Sequence, residues 1–286
     1  MNNVKTLFLF SLLTGLLVAI GWIIGGFGGM IAFLVLAGIM NFAAFWFSDK
    51  LVLRMSGARE VTADEEPRLH ALVEDVVGLT GLPKPKVYIV QSDTPNAFAT
   101  GRNPKNAAVA VTTGIARILD YQELKAVIAH ELGHIRNRDT LIQTVVATVA
   151  GAITMIAWML QWTLLFGGGR RGGRDNPLAI IGLLAAVILA PLAATVIRLA
   201  ISRAREFEAD ATGARMIHDP EALANALLKL HQGVQMHPLP DNGATEATAH
   251  LYIVNPLKSE GLVGLFSTHP SVEERVRRLR AMAGLS

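Results

Sequence analysis

The stretch Ala129-His130-Glu131-Leu132-Gly133-His134 decides the fold of the chain segment around it. It has the HExxH pattern, and residues four apart lie on one face of an α-helix, so both imidazoles can reach one ion. Glu131 could then act as a general base toward a water molecule activated by that ion. Zinc suits this ligand type, because imidazole and carboxylate ligands leave an open position at which the pKa of a bound water is lowered. The stretch therefore predicts a helix that carries two ligands of one zinc ion per chain.

The sequence before this helix has a pattern that is typical of a soluble α+β segment. Helical spacing of apolar residues predicts a helix over 65–79, and 87–90 read as a strand. Residues 97–100 and 107–112 flank a turn rich in Gly and Pro, which predicts a β-hairpin. Asp120 followed three residues later by Glu123 is typical of the capping box that begins a helix.

Zinc needs a third protein ligand, and no histidine follows His134 at the short spacing of the metzincin pattern. Glu206 is the best candidate, because Asp210 lies four residues on and shares its helix face, whereas Glu208 points elsewhere. We expect Glu206 to bind the metal and Asp210 to orient a ligand from behind. Asp139 is a second candidate for that supporting role, and a polar residue at a membrane boundary is its competing interpretation.

Charge is distributed very unevenly along the 286 residues, of which 17% are charged and 51% hydrophobic. No Asp, Glu, Lys or Arg occurs in residues 6–48, 140–169 or 176–197. Because roughly 20 apolar residues span a bilayer, these runs predict four transmembrane helices in two hairpins, over about 7–24, 30–47, 141–166 and 178–197. Two crossings between His134 and Glu206 return the chain to one side of the membrane, as a shared metal site requires.

The remaining composition narrows the partners and the compartment. The chain has no cysteine, which excludes disulfides and thiolate ligands. The net charge of +3 comes without a basic stripe interleaved with aromatics, so we expect no nucleic acid partner. Lys and Arg near the predicted soluble parts outnumber Arg170, Arg171 and Arg174 in the loop of the second hairpin, which favours a cytoplasmic soluble domain. A second hairpin that dips into the bilayer without crossing it would also fit that basic loop.

The chain resembles the HtpX-type membrane metalloproteases, relatives of the CAAX prenyl protease. The likeness covers nearly the whole sequence and is carried by several stretches. They are the N-terminal hairpin, Asn96-Ala97-Phe98-Ala99, Ala129-His130-Glu131-Leu132-Gly133-His134, Ser202-Arg203-Ala204-Arg205-Glu206-Phe207-Glu208-Ala209-Asp210, His250-Leu251-Tyr252-Ile253-Val254-Asn255-Pro256 and Phe266-Ser267-Thr268-His269-Pro270. The resemblance implies an endopeptidase of the bacterial inner membrane that faces the cytoplasm and cleaves damaged or misassembled membrane proteins. It also implies that the strand near residues 96–99 pairs with an extended substrate.

The predicted fold is therefore a mainly α membrane protein whose zincin-like α+β metalloprotease domain is formed by two soluble segments. We place an N-terminal transmembrane hairpin at 1–48, the first half of the protease domain at 49–139, a second transmembrane or membrane-dipping hairpin at 140–199, and the second half of the domain at 200–286. The expected partners are protein or peptide substrates and the lipid bilayer.

Other assignments remain open at the level of sequence. His269 is the first candidate to stabilise the oxyanion, with His250, Tyr252 and Arg275 as alternatives. Residues 233–264 have the composition of a mobile lid or of a plain long loop.

Two rival functions are a protease that cuts within the bilayer and a non-proteolytic, metal-binding membrane scaffold or chaperone. Charges flanking the motif speak against the first rival, and Glu131 speaks against the second.

Overall fold

The computed structural model describes residues 2–137, 139–149, 203–240, 243–257 and 270–284, and these are mostly helical. The helices are α1 (Asn2–Met55), α2 (Pro67–Thr80), α3 (Ile115–Ile118), α4 (Tyr121–Asn137), α5 (described over Thr140–Val149), α6 (Arg203–Ile217), α7 (Pro220–Met236), α8 (Gly243–Thr248) and α9 (Val272–Met282). The strands are β1 (Ala58–Glu60), β2 (Lys86–Val90), β3 (Ala97–Gly101) and β4 (Ala107–Thr112). Short 3₁₀ turns lie at Pro104–Asn106 and Ala249–Leu251.

Helix α1 is interrupted near its middle, where the sequence predicts a reversal. Gly25 and Gly26 leave helical geometry, and Gly26 has φ 54°, a left-handed value that glycine adopts without a side-chain clash. The two halves of α1 contact each other. In one of these contacts, the Asn41 side-chain amide donates a hydrogen bond to Thr14 Oγ1 at 2.8 Å. The portion Gly25–Met55 is long and apolar enough to cross a membrane, and most of it is not covered by the other residues that the structure describes.

The four strands form one mixed sheet in the order β1-β2-β4-β3. β1 is antiparallel to β2, β2 is parallel to β4, and β3 is antiparallel to β4 with Ala97 opposite Val111. The predicted hairpin of β3 and β4 is confirmed, as is the strand before it. β1 has only three residues and was not predicted, since so short a strand carries no readable alternation.

Among the described elements, helices α4 and α6 have the most extensive contact, and they bring the two soluble segments together. Gly213 of α6 allows this approach, because a Cβ there would lie 2.7 Å from the backbone nitrogen of His130. α7 and α9 pack against α6 and against each other on the outer side. The main core joins the inner faces of these helices to one face of the sheet.

The start of α4 confirms the predicted capping box. The Glu123 backbone N–H donates to the Asp120 carboxylate at 2.9 Å, and the Asp120 N–H donates to the Glu123 carboxylate at 2.9 Å. Two orphan amides of the first turn are thus satisfied reciprocally. The capping fixes where α4 begins, and hence the register in which it presents its histidines.

Residues 233–264 are neither a plain loop nor an exposed lid where the structure describes them. α7 continues to Met236, α8 follows at Gly243–Thr248, and residues 247–254 are buried. Proline and glycine suggested irregular, exposed backbone, but apolar residues such as Ile253 and Val254 are buried in the described structure. α5 packs on both halves of α1 through Ile142, Val145 and Val149. The rest of the predicted third helix, the fourth helix and the basic loop lie outside the described residues.

Candidate metal centre

The side chains of His130, His134 and Glu206 meet between α4 and α6. One potential ligand atom from each residue lies within 4.8 Å of the others, and all three side chains are buried. His134 Nε2 is 3.5 Å from Glu206 Oε1, and His130 Nε2 is 3.9 Å from Glu206 Oε2. The two imidazole planes are nearly perpendicular, at 89°. The predicted third-ligand residue is therefore next to both histidines, while Glu208 is exposed on another face of α6.

Two carboxylates stand behind the histidines on the sides that face away from Glu206. Asp210 Oδ1 is 2.9 Å from His130 Nδ1, and Asp139 Oδ2 is 3.4 Å from His134 Nδ1. Each contact favours the tautomer in which Nδ1 carries the proton and Nε2 keeps its lone pair for a metal. The structure brings both predicted supporting residues to the positions that such a role requires.

Arg275 of α9 completes this layer of charge, and its side chain is only 1% exposed. Its guanidinium binds Asp210 in bidentate fashion, with Nε to Oδ2 at 2.8 Å and an NH group to Oδ1 at 2.7 Å. Another NH group lies 3.9 Å from Glu206 Oε2. Burial alone would raise the pKa of Asp210, but Arg275 and His130 hold that pKa well below its usual range.

Glu131 lies beside the three potential ligands and is 1% exposed. Burial, together with the nearby Glu206 carboxylate, raises the pKa of Glu131 to about 7. The neighbouring His134, a hydrogen bond from the Ala99 backbone N–H and Arg275 lower the pKa and so limit the rise. A carboxyl group with a pKa near neutrality suits proton transfer at physiological pH.

The pKa values of the two histidines are displaced in opposite directions. Burial lowers the pKa of His134, but Glu206, Asp139 and Glu131 outweigh it and raise the pKa to about 9. Burial lowers the pKa of His130, and the Asp210 contact only partly offsets it. A proton on His134 thus neutralises part of the negative charge that a divalent cation would otherwise balance.

The donor set fits a zinc ion. Two imidazoles and a carboxylate are the ligands of a catalytic zinc site that keeps one position open. His130 Nε2 is buried and has no hydrogen-bond partner among the described residues, which is costly unless a ligand binds it. His130, His134 and Glu206 would hold the ion, with Asp210 and Asp139 behind the two histidines.

The remaining sequence candidates are distributed differently. His269 lies outside the described residues. Arg275 is engaged with Asp210, Tyr252 packs edge-on against Phe98 with ring centroids 5.1 Å apart, and His250 Nε2 is 3.1 Å from the Gln143 carbonyl oxygen. The double contact of Arg275 with Asp210 was not anticipated, because sequence separation of 65 residues leaves no local signal of that pairing.

A helix that carries HExxH and a carboxylate supplied by a second buried helix define a metallopeptidase. Residues 63–283 match the profile described as Peptidase family M48. The chain is 52% identical over 272 residues to the "Protease HtpX homolog" of Aquifex aeolicus, covering 94% of this chain and 89% of that protein. The homologue of the same name from Pyrococcus furiosus is 51% identical over 283 residues, covering 98% and 96%. The chain belongs to peptidase family M48, and its resemblance to the HtpX-type membrane metalloproteases is confirmed.

A solved structure also resembles this chain. The crystal structure of S. mikatae Ste24p is 19% identical and has a TM-score of 0.46, and the match covers 96% of this chain and 61% of that one.

Proposed function

We propose that the protein is a zinc-dependent endopeptidase of the cell inner membrane, with one zinc ion per chain. The observation that carries the proposal is the buried group of His130, His134 and Glu206 with the Glu131 carboxyl beside it. A site that only binds a metal would not need a further buried carboxyl group, Glu131, beside its three potential ligands.

The chemistry divides among residues that already occupy suitable positions. Zinc, when bound, supplies a Lewis acid that polarises the scissile carbonyl and makes water more acidic. Glu131 takes a proton from the attacking water and passes it to the leaving amine, and its buried position beside the three potential ligands suits that role. Asp210 and Asp139 keep the two imidazoles in one orientation through their Nδ1 contacts.

The substrate and the orientation follow from the family resemblance together with the layout of the chain. We infer that the substrates are misfolded or damaged membrane proteins, cleaved at the cytoplasmic membrane surface as part of a stress response. Four transmembrane helices would place the metal site on that surface, and α5 begins only three residues after α4 ends. β3 is the edge strand nearest the site, so an extended substrate could add to the sheet there.

We propose that His269 stabilises the oxyanion that forms during peptide-bond cleavage. The residue stands one position before Pro270, where the described chain resumes and leads through the cap Ser271 into α9. His269 precedes Arg275 by only six residues in the sequence, and Arg275 binds Asp210 behind the metal centre. His269→Ala is expected to lower kcat by about 10²–10³ without loss of zinc.

The decisive experiment compares the wild type with Glu131→Gln in detergent. Wild-type protein should cleave casein and itself, whereas Glu131→Gln should retain one zinc ion per chain and lose activity by at least about 10³-fold. Glu131 is not a metal ligand in this proposal, so its substitution separates metal binding from chemistry. Persistent cleavage by purified Glu131→Gln protein would reject the mechanism.

A further inference from the structure

The outer edge of β3 faces away from β4 and is formed by alternate residues. The Thr112 N–H donates to the Asn96 carbonyl oxygen at 2.9 Å, so residue 96 turns its backbone toward β4. In an antiparallel pair the next residue turns its N–H and C=O the other way. Ala97 and Ala99 therefore present their backbone groups at the edge of the sheet, and the Ala99 backbone lies close enough to Glu131 to lower the pKa of its carboxyl group.

The backbone of Ile253 and Val254 lies against this edge, beside Asn96 and Ala97. The Ile253 N–H donates to the Ala97 carbonyl oxygen at 3.0 Å. The Asn96 side-chain amide donates to the Val254 carbonyl oxygen at 2.6 Å, and its oxygen accepts from the Val254 N–H at 3.3 Å. Arg275 donates to the Ile253 carbonyl oxygen at 2.6 Å.

These four hydrogen bonds satisfy all the main-chain donors and acceptors of two consecutive residues. A set of groups that contacts the peptide main chain in this way recognises an extended peptide of any sequence. The set also lies next to the reacting groups, because Arg275 binds Asp210 and lies 3.9 Å from Glu206 Oε2. A peptide held there would extend directly past Glu131.

Resting on the proposed protease function, we propose that Asn96, Ala97 and Arg275 form a main-chain binding site for the substrate, and that Ile253 and Val254 occupy it as an internal competitor. The described state is then closed, and a substrate must displace residues 252–254 before it can pair with β3. Tyr252 anchors this competitor, since its ring contacts Phe98 and is 3% exposed. The competitor raises the substrate concentration needed for cleavage and so restricts the enzyme to chains that present an extended segment at high local concentration.

Hydrogen–deuterium exchange on full-length, zinc-loaded Glu131→Gln protein tests the displacement directly. Unfolded β-casein at saturating concentration is the probe, and the Glu131→Gln substitution prevents its cleavage. Amides in peptides covering residues 250–257 should exchange at least tenfold faster with casein than without it, because their partners on β3 have been taken over. Peptides covering α2, remote from this edge, are the internal control. Unchanged or slower exchange at 250–257 while casein is bound would overturn the proposal. Residues 250–257 would then have a purely structural role.

A second measurement uses the anchor of the competitor. Tyr252→Ala removes the aromatic contact with Phe98, so the KM for casein should fall by about 3- to 10-fold with little change in kcat. Tyr121→Ala is the matched control, since that ring is largely exposed on α4 and bonds to Asp75. A KM that stays constant or rises in folded, zinc-loaded Tyr252→Ala protein contradicts the proposal. Should this variant fail to fold, the exchange experiment still decides.

The two proposals fail in different ways. Absence of casein cleavage by wild-type protein would reject the protease function itself, whatever residues 252–254 do. Cleavage by the wild type, combined with undisturbed exchange at 250–257 in the casein complex, would keep the protease and reject the internal competitor.

Discussion

Acidic and basic side chains meet both in the layer between α4, α6 and α9 and on the outer face of α9, but their surroundings differ. In the buried layer, Arg275 and Asp210 have side chains that are 1% and 5% exposed. On the outer face, Glu274 pairs with Arg277, whose side chain is 73% exposed, and Arg280 pairs with Glu221 across to α7. Hydrogen-bond distances are similar in the two places, so geometry alone would rank these pairs as equals.

Solvent decides the difference. An exposed pair exchanges hydration for a weak, screened attraction, and contributes about 0–1 kcal/mol. In the buried layer each charge has lost its hydration, so removing one partner leaves the other uncompensated at a cost of about 3–5 kcal/mol. The contrast implies that substitutions inside the layer act on both metal binding and stability, whereas matched substitutions on the surface act on neither.

The largest expected effect is the loss of zinc on removal of the predicted third ligand. Substitution of a residue that supports a metal ligand from behind typically weakens metal binding by roughly 10–100-fold. Glu206→Ala removes a ligand itself, so it should weaken zinc binding by well over that amount. Glu208→Ala, two positions along the same helix and exposed, should bind zinc as the wild type does. Metal content after dialysis against a graded chelator measures both. Equal loss in the two variants, or in neither, would refute the assignment of Glu206.

The next effect in size is on stability and concerns the cation of the buried layer. Arg275→Gln leaves the Asp210 carboxylate buried without its bidentate partner, and should destabilise the protein by about 3–5 kcal/mol. Arg280→Gln breaks the exposed pair with Glu221 on the same helix and should change stability by less than about 1 kcal/mol. Denaturant unfolding in detergent compares them. Similar losses in the two variants would remove the distinction between the layer and the surface.

The layer also shows where sequence reasoning succeeds. A helical repeat of 3.6 residues predicts that His130 and His134 share one helix face and that Glu206 and Asp210 share another, and in the structure each pair lies on one face of its helix. The capping box at Asp120 and the hairpin of β3 and β4 were likewise predicted from local chemistry. Each of these features is encoded by residues that are close in sequence.

Features that depend on contacts between distant segments were missed or left open. Arg275 reaches Asp210 across 65 residues and appears in the sequence as one basic residue among several on an amphipathic helix. Residues 252–254 look like part of a loop, because nothing in their neighbourhood reveals that Asn96 supplies their hydrogen-bond partners 158 residues away. The first contact needs α9 to pack on α6, and the second needs residues 252–254 to lie beside the start of β3, so only the folded chain displays them.

A smaller effect is expected one step away from the metal. Asp139→Asn keeps the shape of the side chain but removes the charge 3.4 Å from His134 Nδ1, and should weaken zinc binding by about 10–100-fold. Asp93→Asn, which alters an exposed pair with Arg117, is the matched control. Competition with a fluorescent zinc chelator measures the affinities. Wild-type affinity in Asp139→Asn protein would reassign Asp139 to the polar boundary of the membrane segment.

The smallest predicted effect is a pH dependence of stability in zinc-free protein. The pKa of His134 rises from 6.5 to about 9 and that of Glu131 from 4.5 to about 7, so the folded state binds these two protons more tightly than the unfolded state, and the lowered pKa of His130 offsets only part of this near pH 6.5. For His134 the stabilisation is fully present below pH 6.5 and is lost as the pH rises through 9. The Tm of zinc-free protein should therefore fall by several degrees between about pH 6 and pH 9. Zinc-loaded protein should show a larger zinc-induced rise in Tm at the higher pH, because zinc competes with the proton on His134. A Tm of zinc-free protein that climbs over this range would contradict the buried arrangement of charges around His134.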